Sequence, residues 1–364
     1  MRFTIELKDI PRRTSEVIIE ERLLGEIGRV IESCPENRVP YWIWDENVWR
    51  LWGKRVTELG WPDEESGRVV LFPASEVNKR LSALERLAGR LVRAGADRQS
   101  AIVAVGGGVT GDVAGFLASI YMRGIMHHHV PTTLLAQVDS GIGGKTGVDL
   151  PEGKNLIGAI HQPRTVWMDP VFLETLPPEE FRQGMAEVIK TAMIGDELLW
   201  KFLESHGEAI AARERGALLR IISACCMFKA QVVEEDEMET GRRRILNLGH
   251  TVGHAIEKAG NYRICHGDAV ALGLIAATTL SVRLGKLSAG DLERLEGLCG
   301  AWGLPVRIPR TFQPEDLLTA MKADKKRIGD TIHFILPVRI GGVEDISDLD
   351  LRELKETLVS ISSS

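Results

Sequence analysis

The sequence predicts an α/β N-terminal domain with a βαβ pattern, followed by an all-α C-terminal domain. Three observations carry that prediction. Up to about residue 175, short β-branched runs alternate with a helix-period stretch. After the Pro177-Pro178 pair those runs largely vanish and long helical patterns take over. At 101–111 an apolar strand runs into a glycine-rich turn and then a helix, a βα junction of the kind parallel sheets require.

The elements follow in order. "RVVLF" and "SAIVAVGGG" read as buried strands ending in turn residues, and "NKRLSALERLAGRLVRAG" between them reads as an amphipathic helix. That is a βαβ unit. "HHH" at 127–129 reads as strand, with His127 and His129 on one face and His128 on the other. Beyond the prolines, "GMAEVIKTAMI", "GALLRIISACCMFKAQVVEEDE" and "LSAGDLERLEGLCGAWG" read as helices. The expected domains are residues 1–176 and 177–364, with an active site between them.

Composition narrows the class. A chain of 364 residues with 44% hydrophobic content buries a substantial core and exceeds the usual length of one domain. A net charge of -6 with no basic block gives no surface for nucleic acid. Cys34, Cys225, Cys226, Cys265 and Cys299 are an odd count without a C-x-x-C pair, which argues against a disulfide framework or a zinc knuckle. "MRFTIELKDI" has no signal-peptide pattern, and the longest nearly apolar run, 269–282, is short for a membrane span and reads as a buried helix. The expectation is a cytoplasmic protein with no membrane or nucleic-acid partner.

Gly106, Gly108 and Gly111 satisfy G-x-G-x-x-G between strand and helix, where backbone N–H groups can approach a pyrophosphate. The fingerprint is incomplete, because no clear acidic residue ends a second strand about twenty residues on. A dinucleotide is therefore read here on a non-standard Rossmann-like frame. "DSGIGGKTG" is not a phosphate loop of the Walker type, since Asp139 occupies the place of its first glycine. It remains a glycine-rich loop followed by Lys145, Lys154 and Asn155, whose charges suit a phosphate or carboxylate.

If 246–258 is one helix, Asn247, His250, His254 and Glu257 form a polar stripe opposite Leu248, Val252, Ala255, Ile256 and Ala259. Gly249 and Gly253 cost such a helix about 1 kcal/mol each, which points to close approach by another segment or a ligand. Histidines four apart have zinc-ligand spacing, but the glutamate of H-E-x-x-H is missing. Spacing nominates both His250 and His254, with His266, Cys265 or a distant carboxylate such as Glu187 as a third ligand. Glu187 has an alternative partner in Lys190, three residues on along the same helix face.

From "DENV" near 45 to "DKKRIGDTIHFILP" near 337, the chain resembles the 3-dehydroquinate synthase family of sugar-phosphate cyclases. The resemblance is carried by "GGGVTGDVAGFLASIYMRG", "VPTTLLAQVDSGIGGKTGVD", "GKNLIGAIHQP", "GMAEVIK", "LNLGHTVGHAIE" and "HGDAVALG". It implies a nucleotide-binding α/β domain, an α-helical metal-binding domain and a homodimer. It also implies a divalent metal, zinc or cobalt, on Glu187, His250 and His266, with His254 left as a polar or proton-transfer group in the substrate pocket. The substrate shell implied is Arg123, Asp139, Lys145, Asn155, Lys190, Lys229, Arg243, Asn247 and the Asp324-Lys325-Lys326 segment.

For NAD the resemblance implies Asp45, Asn47, Glu76, Lys79, Gly108, Val109, Thr110, Gly111, Asp112, Thr132, Thr133, Lys145, Lys154, Phe172 and Thr175. The implied reaction turns 3-deoxy-D-arabino-heptulosonate 7-phosphate into 3-dehydroquinate and phosphate. It proceeds by transient oxidation, phosphate elimination, re-reduction and an intramolecular aldol closure. Cyclases making valiolone-like or deoxyinosose rings are the alternative, followed by a metal- and NAD-dependent polyol dehydrogenase. Three departures stand out: Gly141 replaces a common second serine, "ASEVNK" lacks a glycine before Glu76, and "YWIWDENVWRLW" carries tryptophans expected to serve packing.

Overall fold

A computed structural model describes residues 14–32, 38–261, 263–328, 333–347 and 349–363, without the side chains of 29, 30, 32 and 322–328. Lys325 and Lys326 therefore lie outside the described side chains. The chain divides into two compact units. One holds residues 14–18, Arg22–Pro131 and Gly144–Met168; the other holds Ile19–Glu21, Thr132–Gly143 and Asp169–Ser364.

The change of unit thus falls at Asp169 rather than 177, and residues 132–143 belong with the second half despite preceding it in sequence. The reasons are local packing. Gly184 leaves room for Leu134, whose side chain would lie 2.7 Å from an added Cβ, and the Cys226 thiol donates to the Gln137 carbonyl at 3.1 Å. The turn Pro170–Thr175 is anchored by Arg213, whose guanidinium donates to the carbonyls of Leu173, Glu174 and Leu176.

The first unit contains strands β1 (Glu16–Ile19, all but its last residue), β2 (Pro40–Asp45), β3 (Val69–Phe72), β4 (Ala101–Gly106), β5 (Met126–Pro131), β6 (Lys145–Leu150), β7 (Gly153–Ile160) and β8 (Thr165–Met168). Its helices are α1 (Leu24–Glu32), α2 (Glu46–Glu58), α3 (Leu81–Arg93) and α4 (Gly108–Ile120). Six strands form one sheet in the order β1-β8-β5-β4-β2-β3, with β8, β5, β4, β2 and β3 mutually parallel; β6 and β7 form an antiparallel hairpin. Every residue of β4 is buried, as a central parallel strand covered on both faces demands.

On one face α3 and α4 bury Leu84, Leu87, Leu91, Val113 and Leu117 against Ile43, Ile102 and Ala104. On the strand β5, Gly111 and Gly115 of α4 admit the rings of His129 and His127, which lie 2.6 and 3.3 Å from where a Cβ would stand. Trp42 and Trp44 are fully buried and pack on Trp61, with ring centroids 4.9 and 5.5 Å away. These tryptophans are core.

The second unit consists of α5 (Pro178–Gly195), α6 (Glu197–Ser205), α7 (Gly207–Ala211), α8 (Arg215–Glu235), α9 (His250–Ala259), α10 (His266–Arg283), α11 (Ala289–Ala301), α12 (Pro314–Ile328) and α13 (Leu351–Ser360). It also carries an antiparallel hairpin, β9 (Phe334–Arg339) and β10 (Gly342–Ile346), so it is not purely α. The β-branched "FILPV" run lay too far from other strand signals to be read as one. The 18-residue helix α10 is buried almost throughout and forms the unit's spine. Among the described residues only α8 is long and apolar enough to cross a membrane by length and composition, and 44% of its apolar window is buried inside the unit.

The stretch expected as one helix from 246 begins instead at His250. Arg242–Asn247 form a 3₁₀ turn, and Gly249 takes φ +79, a left-handed conformation open to glycine at little cost. Asn247 therefore leaves the polar stripe. The glycines meet a neighbouring segment: Cβ atoms on Gly249 and Gly253 would lie 2.9 Å from Leu274 N and 3.0 Å from Ala269 O of α10.

Candidate active site

In the first unit the strand order reverses between β2 and β4, and ligands of open parallel sheets bind outside the carboxyl ends of strands at such a switch point. Asp45 ends β2, Glu76 follows β3, and the glycine turn follows β4. All three lie at that edge. The acids precede the glycine turn in the chain, which is why a search downstream of it finds none. Asp45 caps α2 by accepting from the Asn47 N–H at 2.8 Å, and burial raises its pKa. Gly108 to Asp112 form the first turn of α4, with the Thr110 hydroxyl buried and unpartnered.

Lys79 ties this edge together. Its ammonium reaches Asp112 at 2.5 Å and Asn155 Oδ1 at 2.6 Å, while the Asn155 N–H donates to Asp149 at 2.7 Å and Lys154 pairs with Glu76 at 3.3 Å. Asn155 sits at φ +53, held by these bonds. Five expected residues thus form one cluster, joined by Asp149, which ends a quoted motif but was not singled out. Lys145 is exposed at the start of β6, and Arg123 is exposed on the 3₁₀ turn after α4.

In the second unit, Glu187 is 0% exposed on α5. Its carboxylate lies 3.3 Å from His266 Nε2 and 3.7 Å from His250 Nε2, and it forms an ion pair with Lys190. Ligand atoms of Glu187, His250 and His266 all fall within 4.8 Å of one another. Neither Glu187 oxygen has a well-directed hydrogen bond. A buried carboxylate in that condition, facing two imidazoles, has the donor chemistry of a divalent-metal site with open positions. Burial opposes ionisation of Glu187, but Lys190, His266 and His250 outweigh it and hold the carboxyl well below its usual range.

The site's surroundings are charged. Lys229 on α8 donates to Asp139 Oδ1 at 2.6 Å and to its carbonyl at 2.7 Å. Burial works against Asp139, yet Lys229 and Lys190 keep it ionised. Asp139 belongs to a single π-helical turn, Ala136–Ser140, a geometry frequent at functional sites. Arg243 is 1% exposed; it donates to the carbonyls of Gly143 at 3.0 Å and Glu237 at 2.6 Å. Gly143, at φ +98, has no room for a Cβ beside that guanidinium.

His254 is exposed one turn along α9, its ring centroid 5.2 Å from that of His250. It is not among the three converging ligands. Asn247 donates to Glu239 Oε1 at 2.8 Å, and Glu257 approaches His266 Nδ1 at 3.6 Å. Sequence reasoning missed Glu239 and saw Glu257 only as a stripe residue. Its position seven after His250 was the available signal. Thr132 is buried with its hydroxyl unpartnered, Thr133 accepts from the Ala136 N–H at 3.1 Å, and Phe172 and Thr175 share the turn after Asp169. Cys265 is an exposed free thiol outside the triad.

Fold and side chains together define the class: an enzyme with a glycine turn at a parallel-sheet switch point and a carboxylate–dihistidine metal-competent centre among helices. Solved structures share this fold. The 2-epi-5-epi-valiolone synthase of Streptomyces hygroscopicus, with NAD+ and Zn2+ bound, matches with TM-score 0.89 and 26% identity over 98% of this chain and 99% of that one. A 2-deoxy-scyllo-inosose synthase complexed with carbaglucose-6-phosphate, NAD+ and Co2+ matches with TM-score 0.79 and 30% identity over 94% and 95%. A glycerol dehydrogenase-like protein of Sinorhizobium meliloti, at 15% identity and TM-score 0.64, shares the fold alone.

Family models for the 3-dehydroquinate synthase N-terminal and C-terminal parts match residues 69–183 and 184–327. The 3-dehydroquinate synthase of Desulforamulus reducens is 41% identical over 94% of this chain and 95% of its own length; that of Symbiobacterium thermophilum is 45% identical over 88% and 90%. The chain belongs to the 3-dehydroquinate synthase family.

Proposed function

We propose that the chain converts 3-deoxy-D-arabino-heptulosonate 7-phosphate to 3-dehydroquinate and phosphate, as a carbon–oxygen lyase, and acts as a cytoplasmic homodimer. The observation that carries the reading is the convergence of Glu187, His250 and His266 within 4.8 Å beside the buried Lys190 and Lys229. Glu187, His250 and His266 would hold zinc or cobalt, and the sheet edge with Asp45, Glu76, Lys79 and the Gly108–Asp112 turn would hold NAD; the two groups supply Lewis acidity and reversible hydride acceptance.

The chain's own side chains supply binding and positioning. A substrate bearing one carboxylate and one phosphate needs several cations, and Lys190 and Lys229 place two of them in a water-poor site. Asp139 fixes the Lys229 ammonium through two of its three N–H groups, leaving the third for an anion. Arg243 acts through the backbone, clamping the Gly143 carbonyl and so the loop that carries Asp139. Asn247, held by Glu239, presents amide polarity to a hydroxylated ring. His254, exposed on α9 beside His250, carries an imidazole suited to hold or move a proton at a substrate oxygen. Lys145, Asn155, Arg123, Lys325 and Lys326 complete the proposed substrate shell.

Purified protein supplied with NAD and zinc should release phosphate from the heptulosonate phosphate without net NADH accumulation. Phosphate released only from a valiolone- or deoxyinosose-type precursor would assign the other cyclase activity. Steady NADH accumulation on a simple polyol would assign the dehydrogenase and overturn the proposal.

A further inference from the structure

The start of α10 is capped from a different helix. A helix leaves its first N–H groups without intrahelical partners, and Cys265, in the capping position, provides no side-chain bond. The Asp268 N–H in that first turn instead donates to Gln183 Oε1 of α5 at 3.2 Å. In return Gln183 Nε2 donates to Asp268 Oδ1 at 3.4 Å. This is the reciprocal logic of a capping box, divided between two helices.

Three features make it specific. Gln183 is buried and Asp268 half-buried, so both bonds are partly shielded from competing water. Gly267 admits the approach: a Cβ there would lie 2.5 Å from the Gln183 carbonyl and 2.7 Å from its Cα. Arg182, next to Gln183, donates to the other Asp268 oxygen at 3.2 Å and to the Gly303 carbonyl at 2.8 Å, extending the tie to the end of α11.

The position of this lock matters more than its strength. Gln183 lies one helical turn before Glu187 on α5, and Asp268 lies two residues after His266 on α10. Glu187 and His266 thus sit on two helices joined one turn away by a paired bond. We propose that Gln183 and Asp268 are positioning residues that set the separation of Glu187 and His266 for a divalent cation, a role that rests on the metal reading above. Supporting bonds behind metal ligands typically govern affinity by ten- to a hundredfold.

The test is Co2+ titration of the metal-free full chain, read by visible absorption and calorimetry, with the apo thermal midpoint recorded for each variant. Gln183→Ala and Asp268→Ala should weaken Co2+ binding by about ten- to a hundredfold. Asp268→Asn keeps an acceptor for the Gln183 amide and the same backbone donor, so it should restore affinity to within about threefold of wild type. Arg182→Ala, which spares the paired bond, should do the same. A role in folding alone would lower the apo midpoint without this rescue pattern. Gln183→Ala binding Co2+ as wild type does, while Glu187→Ala has lost it, would overturn the lock alone; so would Asp268→Asn as weak as Asp268→Ala. Wild-type binding by Glu187→Ala would overturn the metal reading and the lock with it.

Discussion

The two units build their sites by different physical means. In the first, the approach to a ligand is made by backbone: a glycine turn opening α4, beside acids that end neighbouring strands, with Lys79 pairing Asp112 and Asn155 around it. In the second, the site is a set of side chains withdrawn from water, with Glu187 at 0% exposure among Lys190, His250 and His266. Backbone sites depend on a local turn and survive changes elsewhere. Buried charge clusters depend on several helices at once, and removing one member leaves the others uncompensated.

That contrast is sharpened by cutting one site and reading the other. Lys79→Met leaves the Asp112 carboxylate without its partner, so the first unit should lose about 3 kcal/mol of stability. NAD affinity should fall at least tenfold, about 1.4 kcal/mol, while metal content stays at the wild-type level. Loss of metal in Lys79→Met would show that the sites are not separable.

A second effect, on stability alone, concerns the strand β5. Burial depresses His128 and His129 to about 4, with Arg164 adding to the effect at His128 and a hydrogen bond from the His129 ring to the Gly106 carbonyl opposing it at His129. Below 6.5 the unfolded rings take up protons that the folded ones refuse. Their stabilisation is therefore complete above pH 6.5 and is lost as the pH falls from 6.5 towards 4. A drop of that size corresponds to at most about 3 kcal/mol per ring. Urea unfolding followed from pH 7 to 4 should show this decline, and His128→Gln with His129→Gln should make it shallower, the buried His127 still contributing; an equal decline in the double variant would remove His128 and His129 as its cause.

The same contrast explains what was legible in the sequence. The strand 101–106 and the helices of the second half could be read because their apolar period is local. The glycine turn was legible for the same reason, since its residues are contiguous. The start of α9 was misplaced because Gly249 sits inside a helix-like pattern, and only the packing of α10 reveals it as the point where the chain turns. The placement of 132–143 with the second unit follows from contacts with α5 and α8 that no local pattern announces. Gln183, Asp268, Asp149 and Glu239 were not singled out because each acts through a partner that local spacing does not indicate. The converging trio of Glu187, His250 and His266 was named through family resemblance, whereas spacing had left His254 an equal candidate.

The central claim is that His250 and His254, one turn apart on α9, have different duties. Metal analysis of His250→Ala and His254→Ala, purified in parallel and checked for a native thermal transition, tests it most directly. The account predicts that His250→Ala loses bound zinc, while His254→Ala keeps the wild-type stoichiometry and loses turnover. Zinc lost from a folded His254→Ala, or retained in full by His250→Ala, would contradict it.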